Sequence, residues 1–278
     1  MPEKTELSVY FSQSVGSSGT LGALLQEEQV LVRTDAGEPP HSAVGLFRMP
    51  TPVGEFAELM KILNQLQAAG PVPPGQDPPG TPMVSFGLKD GEETKAAWSA
   101  AATEIPALLQ PAVGKIRRLI DQSFKHPVSA VGAQGSWQAG SFAAGQDLEI
   151  ELVAKNIGGE PAVFANPAAG DEGSSGVQLT LIRNRTPQQS GDITFHELVR
   201  TEIRQLEADG VTLVDGPGEA IDLAAGKEIA FSLRKTVRLA PGEYQANLSF
   251  VIIPAGEADG PAIGGTITMD LPLVTITR

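Results

Sequence analysis

Apolar residues in the second half of the chain fall into short runs at 148–155, 162–165, 178–182, 229–237, 245–253 and 266–277, separated by clusters of Gly, Pro, Asn and Asp. The first run shows the logic. Leu148, Ile150 and Leu152 share one face and Glu149 and Glu151 the other, which is the period-two signature of a strand with one side in a core. Short strands at this spacing, joined by turn residues, predict an all-β sandwich over 146–278. Pro241-Gly242 marks one turn, and Tyr244 just after it is placed to hydrogen-bond back, as in a tyrosine corner. One stretch resists the pattern. Over 194–206, Phe195, Leu198, Val199 and Leu206 keep helical spacing, and Thr194 with Glu197 forms a capping box. A short helix or irregular crossing is expected there, with a strand through Thr194, His196 and Leu198 as the competitor.

The first half alternates between strand and helix patterns. Leu7, Val9 and Phe11 alternate with Ser8 and Tyr10, predicting a strand, and the Gly- and Ser-rich residues 12–20, followed by Leu21–Leu25, read as a flexible loop or hairpin tip over 12–25. Behind Pro52, Phe56, Leu59, Met60, Leu63 and Leu66 recur at helical spacing and Gly70 stands at the stop position, so a helix is expected over 53–68. Five prolines within 70–81 predict an extended surface loop. Asp90-Gly91 between the strand-like runs 83–88 and 94–99 signals a hairpin. A second helix carries Leu109, Ala112, Ile116, Leu119 and Ile120, with Pro111 either kinking it or marking its start. These elements predict a small α+β domain over 1–126, an antiparallel sheet with two helices on one face. Residues 127–145, where Trp137 and Phe142 are the only large apolar side chains, read as a Gly-rich linker to the sandwich.

Composition narrows the function. With 278 residues and 41% apolar content, the chain can bury two cores. Its net charge of −13 argues against nucleic acid and anionic membranes as partners, because both require a basic face. The best basic group, Lys115, Arg117, Arg118 and Lys125, reads as cations complementing a helix end. There is no cysteine, so disulfides and thiol chemistry are excluded. A charged start and the lack of a long apolar segment point to a cytoplasmic location.

No catalytic, cofactor or metal constellation emerges. His196-Glu-Leu-Val-Arg200 begins like a zinc-protease motif, but Arg200 stands where the second histidine is required. The two other histidines, His41 and His126, come from distant segments. Gly-Ser-Ser-Gly at 16–19 and 173–176 is one residue short of a nucleophile elbow. Asp171 with Glu172, and Glu257 with Asp259, offer too few oxygens in series for a calcium loop and read as solvated. Trp98 and Trp137 read as packing residues.

Asn156-Ile-Gly-Gly-Glu-Pro161 between strands, followed by Pro241-Gly-Glu-Tyr244 before a late strand, resembles the immunoglobulin-like accessory domains of bacteria, including those of the intracellular proteinase inhibitor type. The first domain, with its Gly-rich tip after strand one and the Asp90-Gly91 hairpin before the last helix, is similar in layout to emfourin-type inhibitors of thermolysin-like proteases. The resemblance implies an immunoglobulin-like sandwich as platform and a protein partner, a protease in the most specific case. In that reading the 12–25 tip enters the partner's groove, Leu21 or Leu24 anchors it, and Gly16 and Gly19 allow close backbone approach. A carbohydrate- or small-ligand-binding sandwich and an enzyme of unknown type are the alternatives, the former weakened by an aromatic content of 5%.

Overall fold

In the computed structural model, which describes residues 7–15, 19–70, 81–169, 174–183, 192–255 and 263–278, strands dominate and two helices interrupt them. The chain divides into two compact units. Unit 1 comprises Met1–Ala36 and Leu46–Val128, and unit 2 comprises Gly37–Gly45 and Ser129–Arg278.

Unit 1 begins with β1 (Leu7–Val15), β2 (Gly19–Leu25), β3 (Gln29–Thr34) and the two-residue β4 (Ala36–Gly37), whose second residue already belongs to unit 2. β5 (Ala43–Pro50), α1 (Glu55–Ala69), β6 (Met83–Asp90), β7 (Glu93–Ala101) and α2 (Gln110–Ser123) follow. The strand order is β5-β3-β2-β1-β6-β7. From Val9 onward β1 alternates: Val9 and Phe11 are buried, while Ser12 and Ser14 on the opposite face are exposed. α1 buries Leu59, Leu63 and Leu66 at helical spacing, and α2 buries Ala112, Val113, Ile116, Leu119 and Ile120. Pro111 lies in the first turn of α2, so it marks the start and not a kink. The Asp90-Gly91 turn joins β6 to β7, with Gly91 at φ 59°.

Unit 2 holds β8 (Pro127–Trp137), which starts in unit 1, and then β9 (Ser141–Ala143), β10 (Asp147–Asn156), β11 (Ala162–Ala165), β12 (Ser174–Arg183) and β13 (Ile193–Val199). After one 3-10 turn (Arg200–Glu202) come β14 (Ile203–Gln205), β15 (Ala220–Leu223), β16 (Glu228–Thr236), β17 (Gly242–Ile252) and β18 (Gly265–Thr277). One sheet runs β14-β16-β10-β8 and the other β13-β12-β17-β18, and both are antiparallel along these paths. β9 lies parallel to β18, and β11 pairs with β15 and bridges Pro254 through Phe164. Their inward faces share one core, in which Leu148, Leu152 and Phe231 of the first sheet join Leu179, Leu248 and Phe250 of the second. Phe231 and Phe250 lie 6.5 Å apart, centroid to centroid.

Two expectations are corrected. Residues 127–145 are not a linker: β8 and β9 occupy most of them, with Ala130, Val131 and Ala133 buried. Over 194–199 the competing strand forms in place of a helix, β13 carrying Thr194, His196 and Leu198 inward, and the irregular crossing follows as the 3-10 turn Arg200–Glu202, which leads to β14 in the other sheet; Glu202, not Glu197, accepts the capping hydrogen bond, from Val199 N–H at 3.0 Å. The sheet wins because Leu198 fills the core opposite Val177. Gly45 explains how a first-half segment serves unit 2. At φ 134° a side chain there would meet the Ser129 carbonyl at 2.2 Å, and this close approach lets neighbouring Val44 enter the unit 2 core.

Candidate functional site

At its turn end the β1–β2 ladder runs beyond the pairings beside it. β1 last pairs with β6 at Gln13↔Val84, and β2 last pairs with β3 at Leu21↔Thr34, but the hairpin continues through Ser14↔Thr20 and Val15↔Gly19. Two rungs therefore project past the shared ladder. The root of this projection is fixed from two sides. The Asp35 carboxylate accepts hydrogen bonds from the Thr20 backbone N–H and, at 3.1 Å, from its hydroxyl, while Asp35 N–H donates to the Thr20 carbonyl at 3.2 Å. From the helix side, Arg117 donates to the Gln13 amide oxygen at 3.0 Å.

This geometry redistributes the expected anchor residues. Gly16 lies outside the described residues. Gly19 forms the last described rung of the projection, opposite Val15. Leu21 is half-buried at the root, level with Gln13 and Thr34. Leu24 is half-buried deeper in the sheet, between Tyr10 and Leu31 on the other face. An odd spacing along a strand sends the two leucines to opposite faces, so one groove cannot take both. Residues 12–15 and 19–25 are strand, so of the expected loop or hairpin tip the hairpin forms, held by backbone pairing that needs no large side chain. Ser14 and Thr20, which sequence reasoning passed over, are exposed on the projecting rungs.

The basic group of α2 does not cap a helix end. Lys115 bonds Glu55 at 2.8 Å and Glu58 at closer range, and Arg118 bonds Glu55 at 2.7 Å, joining α2 to α1. The bond from Lys115, opposed by partial burial and reinforced by Arg118, holds the Glu55 carboxyl below its ordinary 4.5. Burial works against the Lys115 ammonium, but Glu55 and Glu58 together keep its pKa above the usual lysine value.

Among the described residues no group of three or more His, Asp or Glu is arranged to hold a metal ion. Asp171, Glu172, Glu257 and Asp259 lie outside the described residues. His196 sits 3.1 Å from the Thr194 hydroxyl, and burial together with the Lys235 charge keeps its pKa below 6.5. Both tryptophans pack: Trp98 stacks on Phe86 at 5.4 Å, and Trp137 meets Phe142 edge-on while donating to the Pro272 carbonyl at 2.8 Å.

The turns of unit 2 are rigid for identifiable reasons. Asn156 is fully buried, its amide donating to the Glu160 and Leu223 carbonyls, both at 2.7 Å, while its oxygen accepts from Gly158 N–H at 2.9 Å. Tyr244 donates its hydroxyl to the Ala240 carbonyl at 2.8 Å, the bond anticipated from Pro241-Gly-Glu-Tyr244. At the end of the second sheet, β13 leaves Ile193, Phe195 and Val199 exposed.

No protein-family model and no curated protein matches the chain. Among solved structures, it is similar to a β-glucosidase from Listeria innocua in complex with gluconolactone, at 12% identity and a TM-score of 0.24 over 54% of this chain and 17% of that one. It is also similar to a CARDB domain from Pyrococcus furiosus in complex with di-metal ions, at 11% identity and a TM-score of 0.22 over 52% of this chain and 90% of that one. A third likeness is to the alkylpurine DNA glycosylase of Pseudomonas fluorescens bound to DNA containing an abasic site analogue, at 12% identity and a TM-score of 0.26 over 59% of this chain and 37% of that one. Overlap this slight assigns no activity.

Proposed function

We propose that the chain is a non-catalytic protein-interaction module that seats the β1–β2 hairpin in a groove of a partner, with protease inhibition as its most specific form. One observation carries this reading: the hairpin projects two rungs beyond its neighbours while Asp35 and Arg117 hold its root. A strand pair fixed before binding loses little conformational entropy when it docks, which favours affinity without a large contact area. Ser14, Gly19 and Thr20 are the contact residues, and the glycine admits close backbone approach. Unit 2 is proposed as an immunoglobulin-like platform in a two-domain chain, a reading supported by its shared two-sheet core and by the Tyr244–Ala240 bond. A cytoplasmic location belongs to the same proposal.

Titration of the full chain against a thermolysin-like metalloprotease tests it, beside a variant with residues 14–20 replaced by a short Gly-Ser turn. Dose-dependent inhibition by the full chain, lost in the variant, is expected. Equal inhibition by both chains would exclude the hairpin, and no inhibition by either would exclude this protease class as the partner.

A further inference from the structure

Among the described residues most terminal strands of the sheets are blunted. β4 and β14 are two and three residues long, and β11 and β15 four each, too short to template a partner strand. β7 places Glu93 and Lys95, themselves ion-paired at 2.6 Å, along its exposed start. β13 is different: seven residues long, it has one strand neighbour among the described residues, β12, and exposes Ile193 and Phe195 at 54% and 65%.

Its backbone register completes the picture. Arg183 N–H donates to the Asp192 carbonyl at 3.1 Å, so this pair is hydrogen-bonded across β12–β13. Alternation along an antiparallel ladder then turns the N–H and C=O groups of Ile193, Phe195 and Glu197 away from β12. The Glu197 carbonyl confirms the phase and is already taken, since it accepts a hydrogen bond from the Lys235 ammonium at 2.8 Å, so the open edge is the backbone of Ile193 and Phe195. The residues whose backbone turns away from β12 are thus the same residues whose side chains face outward: two apolar, then one carboxylate.

We infer that β13 is an acceptor for an extended strand from a partner protein, adding to the sheet with apolar residues opposite Ile193 and Phe195 and a lysine or arginine opposite Glu197. Main-chain bonds supply the pairing, and alternate side chains select the sequence. Charge selects the class of occupant. The chain carries a net −13, so a second copy meets like charge, whereas a basic segment is attracted and its cation pairs with Glu197. This site lies in the other unit from the hairpin and does not depend on the hairpin's role.

The test is a fluorescence-anisotropy titration of the full chain with a labelled, end-blocked peptide of sequence Thr-Lys-Thr-Val-Thr-Val-Thr, which sets Lys, Val and Val on one face. Saturable binding is expected, weakened roughly tenfold or more by Phe195→Lys, which puts a cation where the apolar contact was. Glu197→Lys is expected to weaken it by a smaller factor that shrinks as salt rises. Both positions are exposed, and unchanged thermal unfolding of the two variants confirms that the fold is retained. A peptide N-methylated on alternate amides should fail to bind. Equal binding by the methylated peptide, or by Phe195→Lys, would overturn strand addition. Concentration-dependent dimerisation of the chain without peptide, abolished by Phe195→Lys, would overturn the basic partner in favour of a second copy.

Discussion

Unit 1 joins its two helices through charged side chains, whereas two turns of unit 2 are held by uncharged ones, its own ion pairs linking strands and the 3-10 turn instead. Glu55, Glu58, Lys115 and Arg118 join α1 to α2 near solvent, where screening keeps each pair weak. Asn156 and Tyr244 instead satisfy backbone carbonyls at buried or nearly buried positions, where an unmet partner is costly. The strand edges differ in the same sense: Glu93 and Lys95 guard β7, and β13 shows Ile193 and Phe195. The comparison teaches that an unguarded edge is compatible with a well-formed fold when the turns behind it are fixed by internal hydrogen bonds.

The largest expected effect is on the buried amide. Asn156→Ala strips the Glu160 and Leu223 carbonyls and Gly158 N–H of their partner, and a loss of about 3 kcal/mol in unit 2 is expected from urea unfolding. Asn156→Asp should cost at least as much, because a carboxylate would face two carbonyl oxygens. A loss below about 1 kcal/mol for either variant would mean that the turn is held by something else. Tyr244→Phe is milder. It removes one hydroxyl bond to Ala240, a residue exposed enough for water to replace it, and about 1 kcal/mol is expected from the same measurement.

The smallest effect is the pH response of unit 1. Glu55 has a folded-state pKa below its ordinary 4.5, so its contribution is present above that value and is lost as pH falls through the folded pKa. Thermal unfolding followed from about pH 6 to about pH 3 should show this loss, and Lys115→Met should reduce it by removing the main cause of the shift. An unchanged acid limb in Lys115→Met would remove the helix–helix ion pairs from the account.

Local signals were legible in the sequence. Pro52 and Gly70 bracket α1, Pro111 opens α2, Asp90-Gly91 turns β6 into β7, and Tyr244 bonds back as its position after Pro241-Gly242 implies. What escaped is instructive. β8 fills its core positions with Ala130, Val131 and Ala133, small residues that leave no strong alternation to read. At the β1–β2 turn, glycine and serine signalled a loop or hairpin tip but not how far the ladder runs, because its order comes from backbone pairing. β13 imitated a helix because it carries apolar residues on both faces: Leu198 for the core, and Ile193, Phe195 and Val199 outside it. The feature that confused the period is the feature that makes the strand an acceptor.

Backbone amide hydrogen exchange, resolved to single residues by NMR in the free chain and with the Thr-Lys-Thr-Val-Thr-Val-Thr peptide, tests that claim most directly. The account predicts fast exchange at Ile193 and Phe195 in the free chain, beside protected Thr194 and His196, and slowing of the two fast amides on peptide binding. Protection of Ile193 and Phe195 already in the free chain, or peptide binding that leaves both fast, would contradict it.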